Sequence, residues 1–471
     1  MNIKDGAIPI AIGKYSRIII SLLVNVILSR ILTPEDYGVV AVVTVFTTFF
    51  VSLSDVGMGT AIIQMKDLTK DDINSIFSFS VYYSVSLTLL FSLLAIPIAN
   101  FYNSKDYLSI CLLLSISLFF DAMNTIPNGI LNRNKEFKKI ALRTVIVYMI
   151  SAVIAIILAF CGFRFYALVF QNIVSSIAIF LWNYIYTKPS FVYKINKISI
   201  NKIKSYSFYQ FSFNILVYFS RNLDNLLIGK FFGSAELGYY NKAYTLMLYP
   251  INNITNVISP VLHPILSDYQ KEKEIIYNTF IKIIKILFII GIIISVLCFL
   301  AADEIIILAF GRQWKNSIYC FKALSIAIMF QMVNGTTGAI YQALNNTKQL
   351  FINGLINSII TIIFIMGGIL VGKNIYFLAV SVSIAYVLQC FISFCLLVKI
   401  GFQYSFIKFI CQLKVEIFML IFLLIAIGFF KLQFENLFIS LCIKFIYILT
   451  LSFIYLKITR EDKQIISILR I

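Results

Sequence analysis

Charge is scarce in this sequence. Only 13% of its 471 residues are Asp, Glu, Lys or Arg, and 60% are hydrophobic. A water-soluble fold cannot cover its surface with so few charges. Histidine is almost missing: His263 stands alone, which all but excludes a His-based metal centre. Eight cysteines are present, Cys111, Cys161, Cys298, Cys320, Cys390, Cys395, Cys411 and Cys442, but none forms a CxxC pair. All lie in or beside apolar stretches and read as buried thiols. No P-loop, dinucleotide fingerprint or nucleophile–base constellation occurs, so neither an ATPase nor a familiar enzyme site is expected. No cofactor is expected. No cleavable signal peptide is evident either, because the first apolar run continues too far and lacks an Ala-x-Ala-like exit.

What remains is apolar and basic. The mean hydropathy is +0.91. Windows of about 20 apolar residues, long enough to cross a bilayer, recur along the whole chain. Aromatic residues make up 15%, mostly Phe and Tyr, as lipid-facing and interfacial surfaces require. Spans are expected near 12–32, 37–62, 76–100, 107–131, 141–162, 165–187, 207–231, 236–264, 278–301, 316–342, 348–371, 374–398, 412–430 and 436–456.

The formal charge is +18. Nucleic-acid binding does not explain it, since no soluble domain is large enough to carry that role. Topology does. With the N-terminus inside, the cytoplasmic connections hold Arg133, Lys135, Lys138, Lys139 and Arg143, then Lys188, Lys194, Lys197, Lys202 and Lys204. Lys271, Lys273, Lys282 and Lys285 follow on the same side, as do Lys457, Arg460, Lys463 and Arg470 in the tail. Outer connections carry only scattered cations. The asymmetry places both termini in the cytoplasm.

The chain also repeats itself. Arg30-Ile31-Leu32-Thr33-Pro34-Glu35-Asp36-Tyr37-Gly38 matches Lys230-Phe231-Phe232-Gly233-Ser234-Ala235-Glu236-Leu237-Gly238. Each has a cation, apolar residues, a turn, an acid and a glycine opening the next helix. Asp121-Ala122-Met123-Asn124 pairs with Gln331-Met332-Val333-Asn334, and Cys161-Gly162-Phe163 with Val371-Gly372-Lys373. The expected fold class is therefore all-α and membrane-integral, with about 14 helices. Two parallel six-helix repeats are followed by two further helices. The expected domains are a first bundle over 1–187, a basic cytoplasmic linker over 188–206, a second bundle over 207–400, and an extra helix pair with its tail over 401–471.

Polar residues inside spans are costly and usually face a partner or a cavity. Lys14, Arg17, Ser21, Asn25 and Ser29 fall on one face of the first helix, and Asp121, Asn124, Asn128 and Asn132 on one face of the fourth. Arg221 and Asp224 are spaced to pair in the seventh. The eighth carries Lys242, Tyr249, Asn252 and Asn256, and the tenth carries Gln331 and Asn334. Two readings stand open. Asn and Gln can bond packed helices together without touching a ligand. Alternatively, the stripes line a hydrated cavity, where Asn and Tyr suit a sugar and Lys or Arg suit a diphosphate.

The stretch Leu28 to Gly38, then Asp55-Val56-Gly57-Met58-Gly59-Thr60-Ala61-Ile62-Ile63-Gln64, carries a resemblance. So do Leu223-Asp224-Asn225-Leu226-Leu227-Ile228-Gly229-Lys230-Phe231-Phe232 and Leu237-Gly238-Tyr239-Tyr240-Asn241-Lys242-Ala243-Tyr244. Together they resemble the Wzx-type polysaccharide flippases of the multidrug/oligosaccharidyl-lipid/polysaccharide exporter superfamily, in the colanic acid and teichuronic acid exporter branch. The resemblance implies two bundles forming a V around a central cavity, in a bacterial cytoplasmic membrane. It implies an undecaprenyl-diphosphate-linked glycan as cargo, with Arg17, Arg221 and Lys242 as candidates to meet the diphosphate. Membrane lipids, a polysaccharide polymerase and a chain-length regulator are the partners it suggests. A lipid II-type flippase and a multidrug exporter share the fold and remain alternatives. A membrane glycan polymerase or ligase is disfavoured by short outer connections without His.

Overall fold

The structure is a computed structural model. It describes the chain except residues 1–2, 56–57, 66, 194–217, 219–221, 256–257, 259–261, 263–265, 271, 431–434, 460 and 462–471. The described residues are overwhelmingly helical, without strands among them. Ten of their helices are long and apolar enough to cross a membrane, or eleven with one bent pair, as a multi-pass membrane protein requires. The chain divides into two compact units, Met1–Gly238 and Tyr239–Ile471.

The first unit contains α1 (Ile3–Ile31), α2 (Pro34–Asp55), α3 (Met58–Gln64), α4 (Lys70–Tyr102), α5 (Asp106–Arg133), α6 (Phe137–Phe160) and α7 (Tyr166–Thr187). A further helix, α8, covers 222–231. The expected second span corresponds to α2 and the short α3, with residues 56–57 between them outside the described residues. Local chemistry sets the helix starts. Pro34 occupies the first turn of α2, where its missing N–H costs nothing. Thr33 and Asp36 bond each other reciprocally, with Asp36 Oδ2 accepting from the Thr33 N–H at 2.9 Å and Thr33 Oγ1 accepting from the Asp36 N–H at 3.2 Å. Thr69 and Asp72 form the same capping box ahead of α4. The aspartates complement the positive helix ends.

The second unit begins within α9 (Ser234–Pro250). It continues with α10 (Lys273–Leu300), α11 (Ala302–Phe310), α12 (Ser317–Asn334), α13 (Thr337–Ala343), α14 (Thr347–Gly372) and α15 (Ile375–Leu396). After α16 (Phe406–Gln412) come α17 (Lys414–Phe429) and α18 (Leu437–Thr459). The repeat is visible in the packing. In the first unit α4 packs on α5, α5 on α7, and α6 on α7; in the second α10 packs on α12, α12 on α15, and α14 on α15. The shift of 210 residues that carries Asn124 to Asn334 also carries Phe137, the start of α6, to Thr347, the start of α14, and Thr187, the end of α7, to within one residue of the end of α15.

The duplicated glycine motif meets its own copy inside the first unit. A Cβ on Gly38 would lie 1.7 Å from the Ser234 carbonyl oxygen, and a Cβ on Gly238 would lie 1.9 Å from that of Pro34. Residue 34 faces 238 and residue 234 faces 38, so the contact is reciprocal across a shift of 200 residues. Only glycine permits this approach of backbone to backbone. Tyr102 adds a hydroxyl bond to the Leu226 carbonyl at 3.0 Å.

The last two helices attach to the second unit through charge. Lys285 on α10 lies 3.7 Å from Glu416 on α17 and 3.5 Å from Glu461 beyond α18. Lys444 on α18 lies 2.5 Å from Glu304 on α11, which also accepts from Ser440. Glu416 is fully buried. Lys285 therefore sits inside α10 as a half-buried ion-pair partner, not in a cytoplasmic connection, and Lys282 is on the same helix.

Candidate functional site

The polar stripe on α5 is real, and it is stitched to α6 and α7. Arg143 projects from α6 and is 9% exposed. Its Nη1 donates to Asn183 Oδ1 at 2.7 Å and to Asn128 Oδ1 at 3.1 Å. Asn183 Nδ2 then donates to Asn124 Oδ1 at 2.7 Å. A guanidinium in a span needs hydrogen-bond acceptors to be tolerated; Asn128 and Asn183 supply two, and Asn124 holds Asn183 in place. Arg143 Nε nevertheless keeps no hydrogen-bond partner among the described residues.

One turn away on α5, Asp121 accepts from Ser117 Oγ at 3.3 Å, and Ser117 shares a 2.8 Å bond with Ser176 of α7. α1 packs against α6 and brings up Arg17. Its guanidinium is exposed and stacks 5.6 Å from the ring of Tyr148 on α6, the helix that also carries Arg143. Lys14 is exposed one turn earlier. Asn25 is half-buried and receives Ser29 Oγ at 3.3 Å. The first unit therefore carries two arginines, a lysine, an aspartate and four asparagines over α1, α5, α6 and α7. Such a set can hold an anion beside groups that bond hydroxyls.

The second unit places its candidates differently. Lys242 is 4% exposed, with Nζ 4.6 Å from the Phe310 ring and 4.9 Å from the Trp314 ring. This is an aromatic enclosure for a cation. Tyr249 is half-buried on α9, and Asn252 is exposed on the π-helical turn Ile251–Thr255 that follows. Asn334 ends α12 with its Oδ1 buried and unbonded among the described residues. Asp224, on α8 of the first unit, is buried and caps the Asn225 N–H at 2.8 Å. Arg221, Asn256 and His263 lie outside the described residues.

Two participants escaped the sequence reading. Arg143 was grouped with the cytoplasmic cations because it follows Lys138 and Lys139; it is instead two turns inside α6. Asn183 is an isolated polar residue in a Trp- and Tyr-rich stretch. A signal existed: Ser176 and Asn183 are seven residues apart on α7, two turns that place them on one helix face, and they bond Ser117 and Asn124 of α5. Among the described residues no group of three or more His, Cys, Asp or Glu could hold a metal ion.

Comparison with known proteins supplies the remaining context. The sequence profile of a family described as polysaccharide biosynthesis protein matches residues 27–319. The teichuronic acid biosynthesis protein TuaB of Bacillus subtilis (strain 168) is 23% identical over 73% of this chain and 71% of its own. The lipopolysaccharide biosynthesis protein WzxC of Escherichia coli (strain K12) is 22% identical over 72% of this chain and 69% of its own. In fold, a structure of the lipid II flippase MurJ in an inward closed conformation superposes with a TM-score of 0.76. It is 19% identical and covers 97% of this chain and 99% of that one.

Proposed function

The chain belongs to the polysaccharide biosynthesis protein family, and we propose that it moves lipid-linked oligosaccharide units across a bacterial cytoplasmic membrane for polysaccharide assembly. Relatives named for teichuronic acid and lipopolysaccharide biosynthesis support the cargo class. The fold it shares with a lipid II flippase supports the activity. The observation that carries the reading is the buried Arg143–Asn183–Asn124–Asn128 network with Arg17 beside it. Within a membrane span, two guanidinium groups are expensive unless an anion uses them. A polyprenyl diphosphate supplies that anion, and its glycan supplies hydroxyls for Asn and Asp side chains.

In this reading Arg17 meets the diphosphate directly, because it is exposed. Arg143 is fixed behind it and adds field without mobility. The Asn face of α5 and Asp121 orient sugar hydroxyls. The two units alternate access so that the head group leaves on the outer side while the polyprenyl tail stays in lipid. The work is translocation, with no bond made or broken. Arg221, Asp224, Lys242, Tyr249, Asn252, Asn256 and Asn334 would contribute from the rest of the path. Lys242, shielded by Phe310 and Trp314, would act only after that enclosure opens.

Deletion of the gene tests this. Completed lipid-linked repeat units should accumulate in the inner leaflet, inaccessible to an impermeant glycan-modifying reagent on intact spheroplasts. Accumulation of accessible units would place the defect after translocation and favour a polymerase or ligase. Absence of any accumulation would favour a drug exporter.

A further inference from the structure

A second anion-binding feature lies away from the arginine network, where α10 meets the C-terminal helices. α16 and α17 meet at a bend of 56° at Leu413. The bend opens a groove of about 550 Å³ against α10, within the size range of small-ligand sites. Lys282, Lys285 and Lys414 line it, with Asn278 and Gln412 beside them and an apolar wall that includes Ile286 and Ile289. Lys285 is already committed to Glu416 and Glu461. Lys282 and Lys414 are exposed and make no ion pair among the described residues. The Tyr277 hydroxyl donates to Gln412 Oε1 at 3.0 Å, which leaves the Gln412 amide nitrogen as the donor end.

The groove runs along α10 from Asn278 to Ile289, beside the first turn of α17 and next to the end of α18, the side where the basic connections place the cytoplasm. Two solvent-facing cations beside an isoleucine wall match one kind of molecule. It must carry phosphate at one end and hydrocarbon at the other. Basic pockets between spans on the cytoplasmic side recognise anionic head groups in this way. A soluble anion would gain nothing from Ile286 and Ile289, and a zwitterionic lipid would bring its own cation towards Lys282 and Lys414.

We propose that this groove binds the phosphate head group of an anionic glycerophospholipid of the cytoplasmic leaflet, held by Lys282 and Lys414 with acyl chains along α10. The lipid staples the C-terminal helix pair to α10 beside the Lys285 ion pairs. The site does not depend on the cargo, so it stands or falls separately from the translocation reading.

Native mass spectrometry of the full chain, released from micelles holding equal amounts of phosphatidylglycerol and phosphatidylcholine, tests the assignment. Phosphatidylglycerol should be retained preferentially. Lys282→Ala with Lys414→Ala should cut that preference roughly 20- to 30-fold, the sum of two surface cation–phosphate attractions. Lys282→Arg with Lys414→Arg should restore it. Lys135→Ala with Lys138→Ala, exposed cations elsewhere on the same membrane side, should leave it unchanged. Equal retention of the two lipids, or undiminished preference in the double alanine variant with an unaltered Tm, overturns the proposal. Undecaprenyl diphosphate displacing phosphatidylglycerol through the same two lysines also overturns it, assigning the groove to the carrier lipid. Displacement by millimolar inorganic phosphate overturns it too, reducing the groove to a non-selective anion patch.

Discussion

The two repeats share a scaffold and differ in what they bury. At the shift of 210 residues that aligns their helices, Asn124 becomes Asn334, Arg143 becomes Asn353, and Asn183 becomes Ser393. In the first unit these positions form a closed network around a guanidinium. In the second, the Oδ1 atoms of Asn334 and Asn353 are both buried without hydrogen-bond partners among the described residues. Ser393 bonds Asn357 instead, at 3.1 Å, while Gln389 reaches Thr361 at 2.6 Å. At these positions the second repeat has lost the guanidinium and both of its acceptors, since Asn128 becomes Gly338 and Asn183 becomes Ser393, and has kept only the Asn124 equivalent, Asn334. Buried charge in the second unit is found elsewhere, at Lys242 and in the ion pairs that hold the C-terminal helices. Duplication preserved packing because cores tolerate little change in volume. Polar chemistry was free to diverge: the first unit holds its buried cation in an amide network, and the second encloses Lys242 between aromatic rings.

The largest expected effect breaks the lateral ion pairs. Lys285→Met leaves Glu416 and Glu461 together without their shared cation, and should cost about 3–5 kcal/mol. Replacing all three groups with apolar or neutral residues, Lys285→Met with Glu416→Leu and Glu461→Gln, should recover most of that loss. Thermal unfolding in detergent reads both. If the triple variant is no more stable than the single one, the pairs are not what holds the helices.

Next comes the network itself. Arg143→Met orphans the acceptors on Asn128 and Asn183, and should destabilise by about 2–4 kcal/mol. Export should fall below detection even when low temperature restores protein level. Arg143→Lys keeps charge but replaces a planar fork with a point donor, so partial export with intermediate stability is expected. Full export by Arg143→Met would separate the network from cargo recognition and leave it as helix glue.

The glycine motif tests what the repeats still share. Gly38→Ala and Gly238→Ala each push a methyl into the facing carbonyl, and each should cost about 1–3 kcal/mol. Reciprocal contacts predict matching losses in unfolding midpoint. Unequal losses would mean that one side relaxes and that the symmetry is only approximate.

The sequence announced the scaffold well. Long apolar runs, the basic asymmetry and the Gly38 and Gly238 motifs identified a duplicated helical membrane protein, because those features are set by the bilayer and by backbone approach. The α5 stripe was legible too, since Asn124 and Asn128 stand against an apolar background. Partner choice was not. Arg143 and Lys285 sit within two or three turns of basic connections, where a cation facing lipid phosphates and one buried in a network have the same sequence context. Tertiary packing decides between them. Lys242 shows the same limit from the other side: its sequence marks a cation in a span, and only the fold places Phe310 and Trp314 over it.

The smallest effect is the sharpest test of the asymmetry. Asn353 is 4% exposed and its Oδ1 is buried unbonded. A buried carbonyl without a donor carries a desolvation cost, and replacing the side chain with a hydrocarbon of similar volume removes it. Asn353→Leu should therefore be neutral or stabilising, by up to about 1 kcal/mol, and export should persist. The same change at the equivalent position of the first repeat, Arg143→Leu, should be strongly harmful. A stable Asn353→Leu protein that no longer exports would mean the oxygen serves the cargo during transport, and that the second repeat surrendered its cation without surrendering its part in recognition. The discriminating measurement is the pair, unfolding midpoint and export in the same variant, because stability alone moves in the same direction under both accounts.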